Sequence, residues 1–153
     1  MPTHAEKRVV HHRPEQLFHL VADVERYPEF LPWCIGARIK RRDGRVLFAD
    51  LVIGYKMIRE RFTSRVEPQP DNLRIDVTYT EGPFRYLNNH WVFTEHPDGC
   101  LIDFYVDFEF RNRMLQSVIG LFFNEAVRRM VQAFETRADA LYGTAGPVQS
   151  GER

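Results

Sequence analysis

The chain has 153 residues, with 21 basic and 21 acidic side chains and no formal net charge, so no global field draws it to nucleic acid or anionic lipid. That length supports one domain with a real core and is short for two. Its two cysteines, Cys34 and Cys100, make no disulfide framework and lack metal-ligand spacing; the first twelve residues hold no secretory apolar core, and no run reaches the ~20 apolar residues of a membrane span, which reads as a cytoplasmic protein that at most visits the inner face of a membrane.

Residues 3 to 12, ending RVVHH, read as a first strand. Pro14 then suits the first turn of a short helix, PEQLFHLVADV, with Leu17, Phe18, Leu20, Val21 and Val24 on its apolar side. The stretch DVERYPEFLPWC, residues 23 to 34, holds Pro28 and Pro32. Both oppose a long helix or a strand, so it is expected to be a tight, non-repetitive, apolar connection. From Ile35 the pattern becomes strand-like, with a hairpin turn at Arg42-Asp43-Gly44. In MIRERFTSRVEP, Ile58, Glu60, Phe62, Ser64 and Val66 share one face, against Arg59, Arg61 and Arg65. Pro68 to Asn72 reads as a turn, LRIDVTYT as a strand, and Glu81-Gly82-Pro83 as a break. YLNNHWVFTEH and CLIDFYVDFEF read as two more strands joined by His96-Pro97-Asp98-Gly99. In the second, Cys100, Ile102, Phe104, Val106, Phe108 and Phe110 form one apolar face.

Residues 113 to 142 switch to the helical period. Leu115, Ile119, Phe122, Ala126, Met130 and Ala133 fall on one stripe, widened by Phe123, Val127, Phe134, Ala138 and Leu141. The first half is apolar nearly all round, and Gly120 within it marks a place where a lid could bend. The last residues, TAGPVQSGER, read as a disordered tail. The expected organisation is therefore one domain over 1–142 and a tail over 143–153. The class is α+β: a curled antiparallel sheet of about six or seven strands around a long C-terminal helix, with short helices after the first strand.

The element order, together with Asp23, Val24, Tyr27, Pro28, Phe30, Leu31, Pro32, Trp33 and Cys34, resembles the coenzyme Q-binding branch of the START-like superfamily. RERFT at residues 59 to 63, Gly82-Pro83-Phe84 and the long last helix add to the likeness, which covers residues 3 to 142. That superfamily has the helix-grip fold and includes polyketide cyclases, lipid-transfer domains and RatA-type ribosome-association toxins. The resemblance implies an apolar pocket holding a polyisoprenoid quinone, with ubiquinone as bound ligand, no catalytic cofactor, and a role in quinone supply to respiration.

Within that frame, Tyr27, Phe30, Leu31 and Trp33 are expected at the cavity entrance. Phe62, Trp91, Phe104, Val106, Phe108, Leu115, Ile119, Phe122 and Phe123 are expected to line it, because pockets of this kind are mostly apolar with few polar groups. Glu60, Asn88 and His90 are the expected polar contacts for a quinone head group, with an ordinary ion pair or a satisfied histidine as the plainer alternatives. His11, His12 and His19 do not form a metal site, since adjacent strand residues point to opposite faces. Arg38, Lys40, Arg41, Arg42 and Arg45 make a basic hairpin that fits acidic headgroups or ribosomal RNA, or is simply a solvated tip; DNA is not expected. No nucleophile elbow or phosphate loop occurs. An enzyme of the cyclase or dehydratase type would have to use Glu60 and His90 as acid and base.

Overall fold

A computed structural model describes residues 3–55 and 58–143; the expected tail beyond Gly143, and the side chain of Ile58 with its place on the inner face, lie outside that description. The elements run β1 (Thr3–Val10), α1 (Pro14–Ala22), a short 3-10 helix (Val24–Glu29), β2 (Cys34–Asp43), β3 (Val46–Tyr55), β4 (Ile58–Gln69), β5 (Arg74–Glu81), β6 (Phe84–His96), β7 (Gly99–Phe110) and α2 (Arg113–Tyr142). The seven strands form one antiparallel sheet in the order β1-β7-β6-β5-β4-β3-β2. The sheet curls around α2, as the α+β expectation required.

Three local expectations need correction. The first helix stops at Ala22, and residues 24 to 29 form a 3-10 turn that contains Pro28. Proline's fixed φ suits that tighter helix, and the Tyr27 carbonyl closes it by accepting from the Phe30 and Leu31 amides at 3.2 and 2.9 Å. The first hairpin turns at Gly44-Arg45, because Asp43 still pairs with Val46. Pro68 and Gln69 are still in β4, opposite Ile75 and Arg74, so the next turn begins later.

The sheet's concave face is apolar by simple alternation. In β7, Ile102, Phe104, Val106, Phe108 and Phe110 are buried while their neighbours are partly exposed. Gly82 allows the β5–β6 turn to sit on β4. Its φ is +142°, and a Cβ there would lie 2.6 Å from that of Phe62, a clash no side chain could relieve. Phe84 then meets Phe62 edge to face at 5.1 Å.

The two ends of α2 are fixed differently. At its start, Asn112 accepts from the Leu115 amide at 3.1 Å as an N-cap, and Gln116 accepts from the Phe110 amide at 2.7 Å. Its second half is locked to the rest of the fold. Phe134 meets Tyr27, Phe30 and Trp91 edge to face, with centroids 5.3, 5.1 and 5.0 Å away. Arg137 reaches Glu29 at 2.6 Å, and Asp139 accepts from buried His12 at 2.7 Å. Among the described residues no helix is long and apolar enough to cross a membrane.

Candidate ligand cavity

Between the concave face and α2 lies a cavity of about 300 Å³. Its floor is the inward set of β3 to β7, and its roof is Ile119, Phe123, Val127, Met130 and Phe134 of α2. Val21, Val24, Tyr27, Leu31 and Cys34 close one side. The volume is at the low end of the roughly 300–1,000 Å³ typical of small-molecule sites. It admits a compact group and a short stretch of chain, not a long polyisoprenoid in full.

Of the residues expected at the cavity, Tyr27, Leu31, Phe62, Trp91, Phe104, Val106, Phe108, Ile119 and Phe123 line it. Phe30 does not. It packs against Phe134 with the Arg137 guanidinium 5.1 Å from its ring centre, so it plugs that end. Trp33 is half-buried outside the wall, and its carbonyl accepts from the Gly54 amide at 2.8 Å. Leu115 packs on the core without reaching the cavity. Phe122 is also outside it, because successive helical residues are about 100° apart and Phe123 takes the inward direction.

The expected polar contacts are corrected as a group. Asn88 is exposed, and His90 stacks on Tyr105 at 5.3 Å on the convex face. Asn89 is the one that points inward, with Trp91 two residues on, and its amide donates to the Tyr105 carbonyl at 2.7 Å. Glu60 shares the strand parity of Phe62 but lies beyond the cavity wall. Glu60 and His90 are thus on opposite faces of the sheet and cannot act on one substrate as acid and base.

The other polar groups at the wall are the Trp91 indole N–H, Tyr27, Cys34 and Ser64. Tyr27 donates to the Val21 carbonyl at 2.5 Å, and burial holds its phenol above the ordinary value. The Cys34 thiol donates to the Gly36 carbonyl at 3.4 Å and is also pushed up by burial. Alternation already places Ser64 on the inward face with Phe62, and the same counting from Trp91 would have found Asn89. Phe134 and Met130 were harder to foresee, since their half of the helix reads as ordinary core.

The model of the family described as polyketide cyclase / dehydrase and lipid transport matches residues 10–135. The chain belongs to this family. It is 37% identical over 134 residues to the ribosome association toxin RatA of Rickettsia prowazekii (strain Madrid E), covering 86% of this chain and 92% of that protein. It is 33% identical to the mitochondrial coenzyme Q-binding protein COQ10 homolog B of Xenopus laevis, covering 92% of this chain and 59% of that protein. The solution structure of the 18 kDa protein CC1736 from Caulobacter crescentus is 36% identical, with a TM-score of 0.78 over 94% of this chain and 99% of that one. That structure shares this curled sheet and long helix. In this member, no group of three or more His, Cys, Asp or Glu side chains that could hold a metal occurs among the described residues.

The basic hairpin is partly neutralised. Arg38 reaches Asp50 and Lys40 reaches Glu81, each at 3.1 Å, while Arg41 lies 4.0 Å from the centre of the Phe48 ring. Arg42 and Arg45 are exposed at the tip, and Arg59 and Arg61 extend the basic character across the convex face of β4.

Proposed function

We propose that this protein is a non-catalytic carrier that shelters part of an isoprenoid lipid, ubiquinone or a close relative, in the cavity under α2. The observation that carries the reading is the wall itself: a space of about 300 Å³ faced almost wholly by carbon. Burying hydrocarbon there is worth on the order of 25 cal/mol per Å². The coenzyme Q-binding relative supports the choice of ligand. The first half of α2 supports transient contact with a membrane surface. Met114 and Leu121 are 76% and 79% exposed, Val118 lies between them, and Arg111 and Arg113 stand at the helix start. Apolar side chains beside cationic ones suit an anionic bilayer surface. Native mass spectrometry of protein purified from a ubiquinone-making host is expected to show one bound quinone. Finding no co-purified quinone, and no binding of added quinone, would overturn the reading.

A second reading, association with a ribosomal subunit, has its own support in the RatA relatives, in Arg42 and Arg45 at the hairpin tip, and in Arg59 and Arg61 on β4. It predicts salt-sensitive co-sedimentation with subunits that is lost when these four charges are reversed.

A further inference from the structure

Among the described residues, one fully buried hydroxyl of the cavity wall has nothing to bond. Ser64 is 2% exposed, lines the cavity, and its hydroxyl has no hydrogen-bond partner among the described residues. A buried hydroxyl left this way destabilises the fold, and alanine at that place would avoid the cost. Three other polar side chains of the wall are engaged: the Tyr27 hydroxyl with a backbone carbonyl, the Cys34 thiol with another, and the Asn89 amide with a third. Ser64 lies in mid-strand on β4, opposite Ala49 of β3 and Tyr79 of β5. Ala49, Phe62 and Val66 line the cavity around it.

We infer that Ser64 is the hydrogen-bond donor for an oxygen of the cavity's ligand, so that the ligand is an oxygen-bearing amphiphile seated with its polar end against β4. A carbonyl, quinone or ether oxygen would accept from this hydroxyl, and Phe62, Phe84 and Phe108 offer ring faces and edges to a flat head group. The cavity is too small for a long chain as well, so with the head at β4 the hydrocarbon leaves toward α2. The inference rests on the carrier reading and adds to it the orientation and the chemical class of the head.

The test uses two probes with the full chain: a dimethoxy-methyl-benzoquinone bearing two isoprene units, and the same prenyl chain on a benzene ring without oxygens. Ser64→Ala is expected to weaken quinone binding about three- to tenfold and leave the oxygen-free probe unchanged, with Ser64→Thr restoring most of the loss. The quinone carbonyl stretch, lowered in the wild-type complex, should return toward its free frequency in Ser64→Ala. Equal affinity of wild type and Ser64→Ala for the quinone, with the same carbonyl frequency, would overturn the assignment while leaving the cavity's role intact. Binding of neither probe by the wild type would instead overturn the carrier reading, and the assignment with it.

Discussion

Asp50 is a buried carboxylate on the convex side of β3, and its neighbours explain how it can stay ionised. Thr63 donates to one oxygen at 2.5 Å and Arg38 to the other at 3.1 Å. The Thr63 bond is the main reason that its carboxyl is held below the usual range, with Arg38 adding to it. A depressed carboxyl contributes stability that is present above its unfolded value, about 3.9, and is lost as pH falls through the folded one. Thr63→Val should therefore cost about 1.5–3 kcal/mol at neutral pH. Urea titrations at several pH values should show that difference shrinking below about pH 4. A difference independent of pH would assign the cost to packing alone. The same scale shows what sequence could and could not reveal. Which of Asn88, Asn89 and His90 faces inward follows from Trp91 by counting in twos, yet polarity alone singles out the wrong pair. That Ser64 has no partner could not be read at all, because its possible partners lie on other strands.

Among the elements, α2 is the one whose extent was fully legible, since the period changes sharply at Arg113 and Gly143 ends it at φ 94°. Its two halves differ in a way composition only hinted at. The second half is tied down by Phe134, Arg137 and Asp139. The first half rests on Leu115, Ile119 and Phe123 while exposing Met114 and Leu121. Gly120 sits in that half, exposed, with nothing within 4 Å of an added Cβ. Packing therefore gives no reason for a glycine that costs about 1 kcal/mol in a helix. Gly120→Ala should stabilise the fold by about 0.5–1 kcal/mol. If helix bending admits the ligand, stopped-flow quenching of Trp91 should show slower quinone uptake in this variant; an unchanged rate would place entry elsewhere. The 3-10 turn at Val24–Glu29 was not legible, because the prolines that argue against an α-helix say nothing against a single tighter turn.

At the scale of the whole molecule, the sheet and helix together fix how much a ligand can matter to stability. For the proposed carrier, ligand at a hundred times its Kd stabilises the folded state by about 2.7 kcal/mol. For a chain of this length that raises Tm by roughly 5–10 °C. A thermal shift with the benzoquinone probe, absent with a water-soluble benzoquinone lacking the chain, would match burial of hydrocarbon as the driving force. The curled sheet was legible as a class from strand count and one helix. The cavity's size was not, since it depends on how far α2 stands from the concave face.

The two margins of that sheet are finished differently. Along β1, His4 meets Asn124 at 3.1 Å, and Arg8 meets Gln132 and Glu135 at 3.2 and 3.0 Å, so α2 flanks this margin. β2 has no strand on its outer side; the 3-10 helix lies against it instead, and the Glu25 carboxylate accepts from the Ile39 amide at 3.4 Å. Its pairing with β3 slips between Cys34 and Gly36 and again between Ile39 and Arg41, and it carries Arg38, Lys40, Arg41 and Arg42. Irregular, cationic outer strands are poor templates for a second copy. The apolar interior behind that margin is thereby guarded, by charge and irregular pairing as well as by the 3-10 helix, against growing sheet to sheet into aggregates.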